Sequence, residues 1–287
     1  MAGSRVRFGD QNGNSDLLDL LADLIRRRGR LFVLTGAGCS TASGIPDYRG
    51  PDGRWKGSQP MLFQDFRRDE GARRRYWARS FVGWPRVAEA MPNDAHRMLS
   101  RLESAGFIHQ LVSQNVDGLH QRAGSRRVIE LHGSISRVDC LGCRLRMPRS
   151  DMQVRLAAAN PWFTVRSATM APDGDALIAT RLGQDFQVPD CPDCGGILKP
   201  AVVFFGENVP RPRVELAYQR LRQANLVLGV GSSLTVYSGF RFCREAAALG
   251  TPIALVNRGR TRADDLATVK LDEEVGNVLR ELSRRLT

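Results

Sequence analysis

The chain has 287 residues, 42% of them hydrophobic and 25% charged, which is the composition of an ordinary globular protein and excludes a disordered or fibrous one. The length suits one large domain, or one large and one small, with cores that need no disulfide staples. A formal charge of +12 raises the question of a polyanionic partner, but only Lys56, Lys199 and Lys270 are lysines and the arginine runs are scattered without interleaved aromatics, so no nucleic-acid partner is expected.

The first residues, Met1 to Asn14, are polar and Gly-rich with no apolar run before a cleavage site, so no secretory signal is expected and a cytoplasmic location follows. Ser15 and Asp16 open a helix whose Leu17, Leu18, Leu21, Leu24 and Ile25 share a face; Arg26 to Arg28 complement its C-terminal dipole and Gly29 stops it. Leu31 to Leu34 is a buried strand running into the turn Thr35-Gly36-Ala37-Gly38. Pro51 to Pro92, rich in Arg, Gly and aromatics, reads as irregular structure with short helices. Further strands are predicted at Phe107 to Val112, Val128 to Leu131, Ala201 to Phe205, Leu226 to Val230 and Ile253 to Val256, each ending in polar or glycine residues. Helices are predicted at Asp94 to Ser104, Val214 to Gln223, Ser238 to Leu249 and, after a capping Asp272, Glu273 to Leu286. The stretch Gln223 to Phe240 is uncharged, but its amides, hydroxyls and glycines exclude a membrane span. Apolar strands alternating with helices give a parallel α/β sheet, whose ligands bind beyond the carboxyl ends of the strands, where the polar clusters fall.

Gly36-Ala37-Gly38 is the start of a dinucleotide-binding turn, although Thr41 stands where a third glycine belongs and no ribose-binding acid follows; a tight turn without ligand reads equally well. Cys140 with Cys143, and Cys191 with Cys194, form two knuckles suited to one tetrahedral zinc. Four thiolates leave no open position, so the metal is structural; a redox pair is the rival reading. Cys39 and Cys243 are ordinary buried thiols. His96 and His109 lie in a helix and a strand as packed or surface residues, whereas His132 ends a strand at the ligand-facing edge, where an imidazole can take a proton. Gln114, Asn115, Asp117 and His120 end the neighbouring strand and offer groups to a ribose or nicotinamide, or else cap the turn.

Together these motifs resemble the sirtuins, NAD-dependent protein deacylases. The matching pieces are Gly36-Ala37-Gly38-Cys39-Ser40, Gly44 to Arg49, Gln114 to His120, Leu131 to Ser134, both knuckles, Val202 to Glu207, Gly231 to Leu234 and Val256-Asn257, in the family's order over roughly residues 30 to 275. Tyr76 to Arg79, Leu198 to Pro200 and Asp264 to Ala267 look like the class II branch. The resemblance implies an α/β fold with a Rossmann-type parallel sheet domain and a smaller zinc-binding and helical domain inserted. The implied boundaries are 1–50, 93–136 and 200–287 for the NAD-binding domain, 51–92 for a cofactor loop and helical insertion, and 137–199 for the zinc domain.

The resemblance also assigns roles. Gly36, Ala37, Gly38 and Ser40 would cradle the pyrophosphate, with Asp47, Tyr48 and Arg49 on a flexible cofactor loop. Gln114, Asn115 and Asp117 would serve the nicotinamide and ribose; Gly231, Ser232, Ser233, Asn257 and, more weakly, Thr268 would serve the adenosine half. The catalytic set is His132, Asn115 and Asp117. The acyl oxygen of a modified lysine attacks the ribose, nicotinamide leaves, and His132 acts as general base on the ribose hydroxyls so that the acyl group departs as O-acyl-ADP-ribose. Val203, Phe204, Phe205, Gly206 and Glu207 would pair with an extended acyl-lysine peptide. Tyr76 and Arg79 match the spacing of a pair that binds acidic acyl ends, with Pro60 in place of that branch's small residue, and suggest longer or carboxylated acyl groups with weak activity on acetyl-lysine. NAD is the co-substrate, one structural zinc is bound per chain, and a monomer with no membrane partner is expected. Mono-ADP-ribosyl transfer to protein and a non-catalytic NAD sensor are the alternatives.

Overall fold

A short strand with apolar residues at every position has two faces to cover, and its fate is decided by the helices that cover them. The computed structural model describes residues 11–47, 60–163, 169–170, 176–177 and 185–287. In chain order its helices are α1 (Gln11–Arg28), α2 (Phe63–Arg68), α3 (Glu70–Glu89), α4 (Asp94–Ser104), α5 (Leu119–Arg122), α6 (Arg149–Ala159), α7 (Arg211–Arg222), α8 (Tyr237–Ala248) and α9 (Val275–Leu286). The strands are β1 (Leu31–Thr35), β2 (Ile108–Ser113), β3 (Val128–Glu130), β4 (Gly133–Cys140), β5 (Arg146–Pro148), β6 (Thr169–Met170), β7 (Ala176–Leu177), β8 (Leu198–Val202), β9 (Leu226–Val230), β10 (Ile253–Val256) and β11 (Val269–Leu271).

Six of them form a parallel sheet in the order β11-β10-β9-β1-β2-β3. Counted by appearance within the sheet this is 6-5-4-1-2-3, the doubly wound dinucleotide-binding order, and the winding direction reverses between β1 and β9. Alternation along β1 divides the core. Leu31 and Val33 pack with Leu21 and Ile25 of α1, Leu99 and Leu102 of α4 and Leu279 and Leu282 of α9. Phe32 and Leu34 pack on the other face with Ala217 and Leu221 of α7 and Phe242 and Ala246 of α8. Each such fully buried side chain contributes about 1.5–3 kcal/mol.

Three sequence expectations need correction. The run Ala201 to Phe205 supplies no strand to the main sheet: β8 lies in a separate antiparallel sheet, order β5-β4-β8, and the sixth parallel strand is β11, hidden by its brevity and by Lys270 at its centre. Pro51 to Pro92 is not mainly irregular where it is described. It holds the 20-residue α3, whose buried positions Tyr76, Ser80, Gly83 and Val87 have helical spacing masked by a serine and a glycine. The cap of α9 is Glu274, whose carboxylate accepts from the amides of Gly276 and Asn277; Asp272 instead accepts from Gly259 N. In addition, α1 begins at Gln11, ahead of Ser15.

The antiparallel sheet, α3 and α6 share a second core around Phe66, Tyr76, Trp77, Met152, Leu156 and Phe186. Within it Arg149 is fully buried, its guanidinium 5.2 Å from the Trp77 ring and 5.3 Å from the Trp84 ring. The chain crosses from the large sheet to the small one at His132-Gly133, between β3 and β4. Gly133 has φ +84°, and a Cβ there would lie 2.0 Å from the Ala201 carbonyl oxygen, so only glycine permits the crossing. Among the described residues no helix is long and apolar enough to cross a membrane.

Candidate active site

At the switch point between β1 and β9 opens a cavity of about 680 Å³, lined by the segments that follow the carboxyl ends of the parallel strands and, from the smaller module, by Pro60, Met61 and Val202 to Val209. Two glycine turns form its floor. Gly36 N donates to Val230 O at 3.1 Å and Gly38 N to Gly231 O at 2.8 Å. A Cβ on Gly38 would lie 2.9 Å from Gly231 O, and one on Gly231, at φ +60°, would lie 2.6 Å from Cys39 N. The two backbones therefore touch, and side chains are excluded where an anion would approach.

Beside the turns, polar groups at the end of β2 are locked together. Ser40 Oγ donates to Asp117 Oδ2 at 2.7 Å, and Asp117 Oδ1 accepts from Leu119 N at 2.9 Å. Asn115 Nδ2 donates to Ser40 Oγ and to Gly36 O, both at 3.0 Å. Gln114 Nε2 ties the two strand ends together, donating to Thr35 O at 3.1 Å and Ser232 Oγ at 2.9 Å. Burial pushes Asp117 up from the ordinary carboxylate range, opposed by the Leu119 amide and the Ser40 hydroxyl.

His132 lines the same cavity, its Nδ1 2.8 Å from Gln114 O and its Nε2 2.8 Å from Ser238 Oγ. A carbonyl only accepts, so Nδ1 carries the proton and the Nε2 lone pair faces the Ser238 hydroxyl in the cavity. Burial pushes its pKa down to about 4, opposed by the bond to Gln114 and reinforced by Arg213 and Arg241. At neutral pH the ring is an uncharged base.

The cavity gathers most of the residues singled out in the sequence. Gly36, Ala37, Gly38, Ser40, Asp47, Gln114, Asn115, Asp117, His132, Val203 to Glu207, Gly231, Ser232, Ser233 and Asn257 all line it. Tyr48 and Arg49 lie outside the described residues. Thr268 does not line it: its backbone and hydroxyl bond Ile253, at the amino edge of the sheet opposite the cavity. Tyr76 and Arg79 are also not among the lining residues. Tyr76 is 1% exposed, its ring 5.1 Å from Phe204 and 5.4 Å from Phe66, so it stands behind the wall that Phe204 forms. The cause is α3, whose inward face fills the aromatic core of the smaller module. His120 sits beneath the site, with Nε2 2.9 Å from Thr35 Oγ1 and its ring 4.8 Å from that of His96. Sequence reading missed Ser238, Arg241, Arg258 and Arg260, which also line the cavity; Ser238 carries no signal beyond that of a helix start.

Val203 to Glu207 form a turn and not a strand, with Glu207 N donating to Phe204 O at 3.0 Å and Val203 N to His132 O at 2.8 Å. Away from the cavity, the sulfurs of Cys140, Cys143, Cys191 and Cys194 lie within 4.8 Å of one another, with closest pairs at 3.5 and 3.6 Å. Zn–S bonds of about 2.3 Å in a tetrahedron place sulfurs about 3.8 Å apart, so the four thiolates fit zinc and leave no open position.

A model of the Sir2 family matches residues 36–238. The NAD-dependent protein deacetylase of Xanthomonas axonopodis pv. citri is 56% identical over 259 residues, covering 90% of this chain and 88% of that protein. NAD-dependent protein deacetylase 2 of Bradyrhizobium diazoefficiens is 57% identical over 253 residues, covering 88% and 93%. Among solved structures, a Sir2–p53 peptide–NAD+ complex matches with a TM-score of 0.76 at 32% identity, covering 93% of this chain and 97% of that one. Sir2Tm bound to a propionylated peptide matches with a TM-score of 0.74 at 30% identity, covering 94% and 99%.

Proposed function

Because the chain belongs to the Sir2 family, we propose that its cavity removes acetyl groups from protein lysines with His132 as the general base. The protein is an NAD-dependent protein deacetylase, with NAD as co-substrate, acetylated peptides as substrates and structural zinc on its four cysteines. NAD, when bound, supplies the electrophilic ribose carbon that accepts the acyl oxygen. The double glycine turn and Ser40 hold its pyrophosphate, where the lack of side chains on the glycines lets an anion come close to the backbone. Asn115, Asp117 and Gln114 orient the nicotinamide ribose, and Ser232, Ser233 and Asn257 take the adenosine half.

The observation that carries the base assignment is the anchored tautomer of His132, whose Nε2 lone pair lies in the cavity beside the glycine turns. A buried imidazole of low pKa is uncharged at neutral pH, takes a proton from a substrate hydroxyl and returns it readily to a leaving amine. Val203 to Glu207, Val236 and Tyr237 all line the cavity, and an extended peptide lying along them would be held mainly through its backbone.

Arg79 lies outside the cavity lining and Phe204 screens Tyr76, so this pair does not favour a carboxylated acyl group over the acetyl group of the family's substrates. The class II likeness therefore rests on the sequence around residues 76–79, 198–200 and 264–267. Two Cys-x-x-Cys pairs placed to hold one metal fit the cytoplasmic location expected from the sequence. The test is mass spectrometry of purified protein with NAD and acetyl-, succinyl-, glutaryl-, lipoyl- and myristoyl-lysine peptides, beside His132→Ala. Deacetylated peptide with matching nicotinamide and O-acetyl-ADP-ribose, lost in the variant, supports the reading; ADP-ribose attached to protein without deacylation would replace it with the transferase alternative.

A further inference from the structure

The lone pair that the general base must use is already bonded within the chain. Ser238 Oγ lies 2.8 Å from His132 Nε2, and since Nδ1–H is committed to Gln114 O, the serine hydroxyl is the donor. Ser238 is the second residue of α8 and lines the cavity, so its side chain stands where a substrate hydroxyl must arrive. A hydroxyl that donates one hydrogen bond keeps two lone pairs, and can accept from a second hydroxyl while it donates to the imidazole.

The next residue serves the same arrangement. A Cβ on Gly239 would lie 2.4 Å from Gln114 Oε1, so glycine there lets the first turn of α8 pack closely against the side chain of the residue whose carbonyl holds Nδ1, and a larger residue would push that amide aside. The imidazole is thereby held at both nitrogens, by Gln114 on one side and α8 on the other. The charged groups acting on the ring are Arg213 of α7 and Arg241 of α8, and both oppose its protonation.

We infer that Ser238 is a positioning and proton-relay residue for His132, fixing the ring plane and carrying the substrate proton to Nε2. As the ribose oxygen bonds the acyl carbon, its O–H bond breaks; that proton passes to Ser238 Oγ and the Ser238 proton passes to His132 Nε2. The reverse transfer delivers that proton to the lysine amine as its C–N bond breaks; water then adds to the acyl carbon and loses a proton to solvent to give O-acetyl-ADP-ribose, so the serine and the imidazole end as they began and nothing is oxidised or reduced. The inference rests on the deacetylase reading with His132 as base.

The test compares Ser238→Ala and Ser238→Thr with the wild type. In the unliganded protein, the imidazole 15N resonances of His132 report the bond without turnover. The alanine variant is expected to shift the Nε2 resonance and raise the imidazole pKa, because a donor to the neutral form is lost; threonine, which keeps the hydroxyl, restores both. With acetylated peptide, kcat is expected to fall about tenfold in the alanine variant with the peptide KM held, a part of the 10²–10⁴ that a general base supplies, and to recover in the threonine variant. Wild-type kcat and an unshifted Nε2 in Ser238→Ala would overturn the inference, and so would a loss of kcat that threonine fails to restore. Full activity in His132→Ala would instead overturn the reading of the site itself.

Discussion

Ser40 and Asp117 stand 77 residues apart in the chain, yet the Ser40 hydroxyl donates to Asp117 Oδ2 at 2.7 Å and joins the end of β1 to the end of β2 across the cavity floor. The other carboxylate oxygen accepts from Leu119 N at 2.9 Å, so the group is held at both oxygens. Asn115 donates to the same Ser40 oxygen at 3.0 Å. These three side chains form one unit, and each fixes the conformation of the next.

Replacing Asp117 by Ala removes the acceptor of two buried donors, which is expected to cost about 1–3 kcal/mol of stability for each donor left unsatisfied. Asp117→Asn keeps one carbonyl oxygen and is expected to be milder in stability while raising the KM for NAD. Thermal unfolding and NAD titration of the two variants separate the effects. Equal melting temperatures in all three proteins would show that the carboxylate carries no structural load.

Burial pushes His96 and His132 down to about 4 and holds His120 well below its usual value. Unfolded, each ring returns to about 6.5, so below that pH the unfolded chain binds more protons than the folded one. Stability present above pH 6.5 is therefore lost as the pH falls toward 4, by up to about 3 kcal/mol each for His96 and His132, with His120 acting in the same direction. Urea unfolding at pH 7.5 and pH 5.0 checks this, and identical free energies would mean that the three rings titrate normally. The same low pKa predicts that kcat shows no fall between pH 8 and pH 6 from protonation of His132.

Much of this site could be read from the sequence because chemistry there is concentrated in contiguous blocks. A glycine turn, a Gln-Asn-x-Asp run and a His-Gly pair each sit at a strand end, and a parallel sheet brings strand ends together whatever the distances along the chain. The knuckles were legible for the same reason, since metal spacing is local. What escaped is what depends on packing between distant elements. Val269–Leu271 becomes a strand only through pairing with β10, and Ser238 becomes part of the site only through the approach of α8 to His132. Tyr76 and Arg79 show the converse: spacing alone suggested a ligand pair, and the core of the smaller module claimed the tyrosine.

That placement makes the acyl preference testable. With Arg79 outside the cavity lining, Arg79→Ala is expected to leave the ratio of deacetylation to desuccinylation unchanged, even if both rates move with stability. A selective loss of desuccinylation would return Arg79 to the acyl pocket.

Four thiolates that complete a tetrahedron make the zinc a folding element. Cys191→Ser is expected to release the metal and lower the melting temperature, with the change reported by the fluorescence of Trp77 and Trp84 in the same core. Elemental analysis should find one zinc per wild-type chain. A variant that keeps its zinc at full stoichiometry would show that three thiolates suffice.

Lys199 connects the small sheet to the part of the cavity wall formed by Val203 to Glu207. Its side chain is 7% exposed, its Nζ lies 3.0 Å from Glu207 Oε2 and 2.5 Å from Val202 O, and it sits 4.7 Å from the centre of the Phe204 ring. Glu207 in turn accepts from Phe204 N at 2.9 Å, so one ammonium fixes both ends of the turn that lines the cavity. Burial lowers the lysine pKa and Glu207 raises it, which is the balance of a desolvated ion pair. Removing one partner of such a pair leaves the other charge buried, at a cost of about 3–5 kcal/mol when burial is complete and less here, because Glu207 remains 23% exposed. Lys199→Met is therefore expected to loosen residues 203–207 and raise the KM for acetylated peptide, while the KM for NAD, set by the glycine turns on β1 and β9, stays near its wild-type value. The double variant Lys199→Met with Glu207→Gln removes both charges and should recover much of the lost stability. A double variant no more stable than the single one would place the role of Lys199 in its contacts with Val202 and Phe204, and not in its charge.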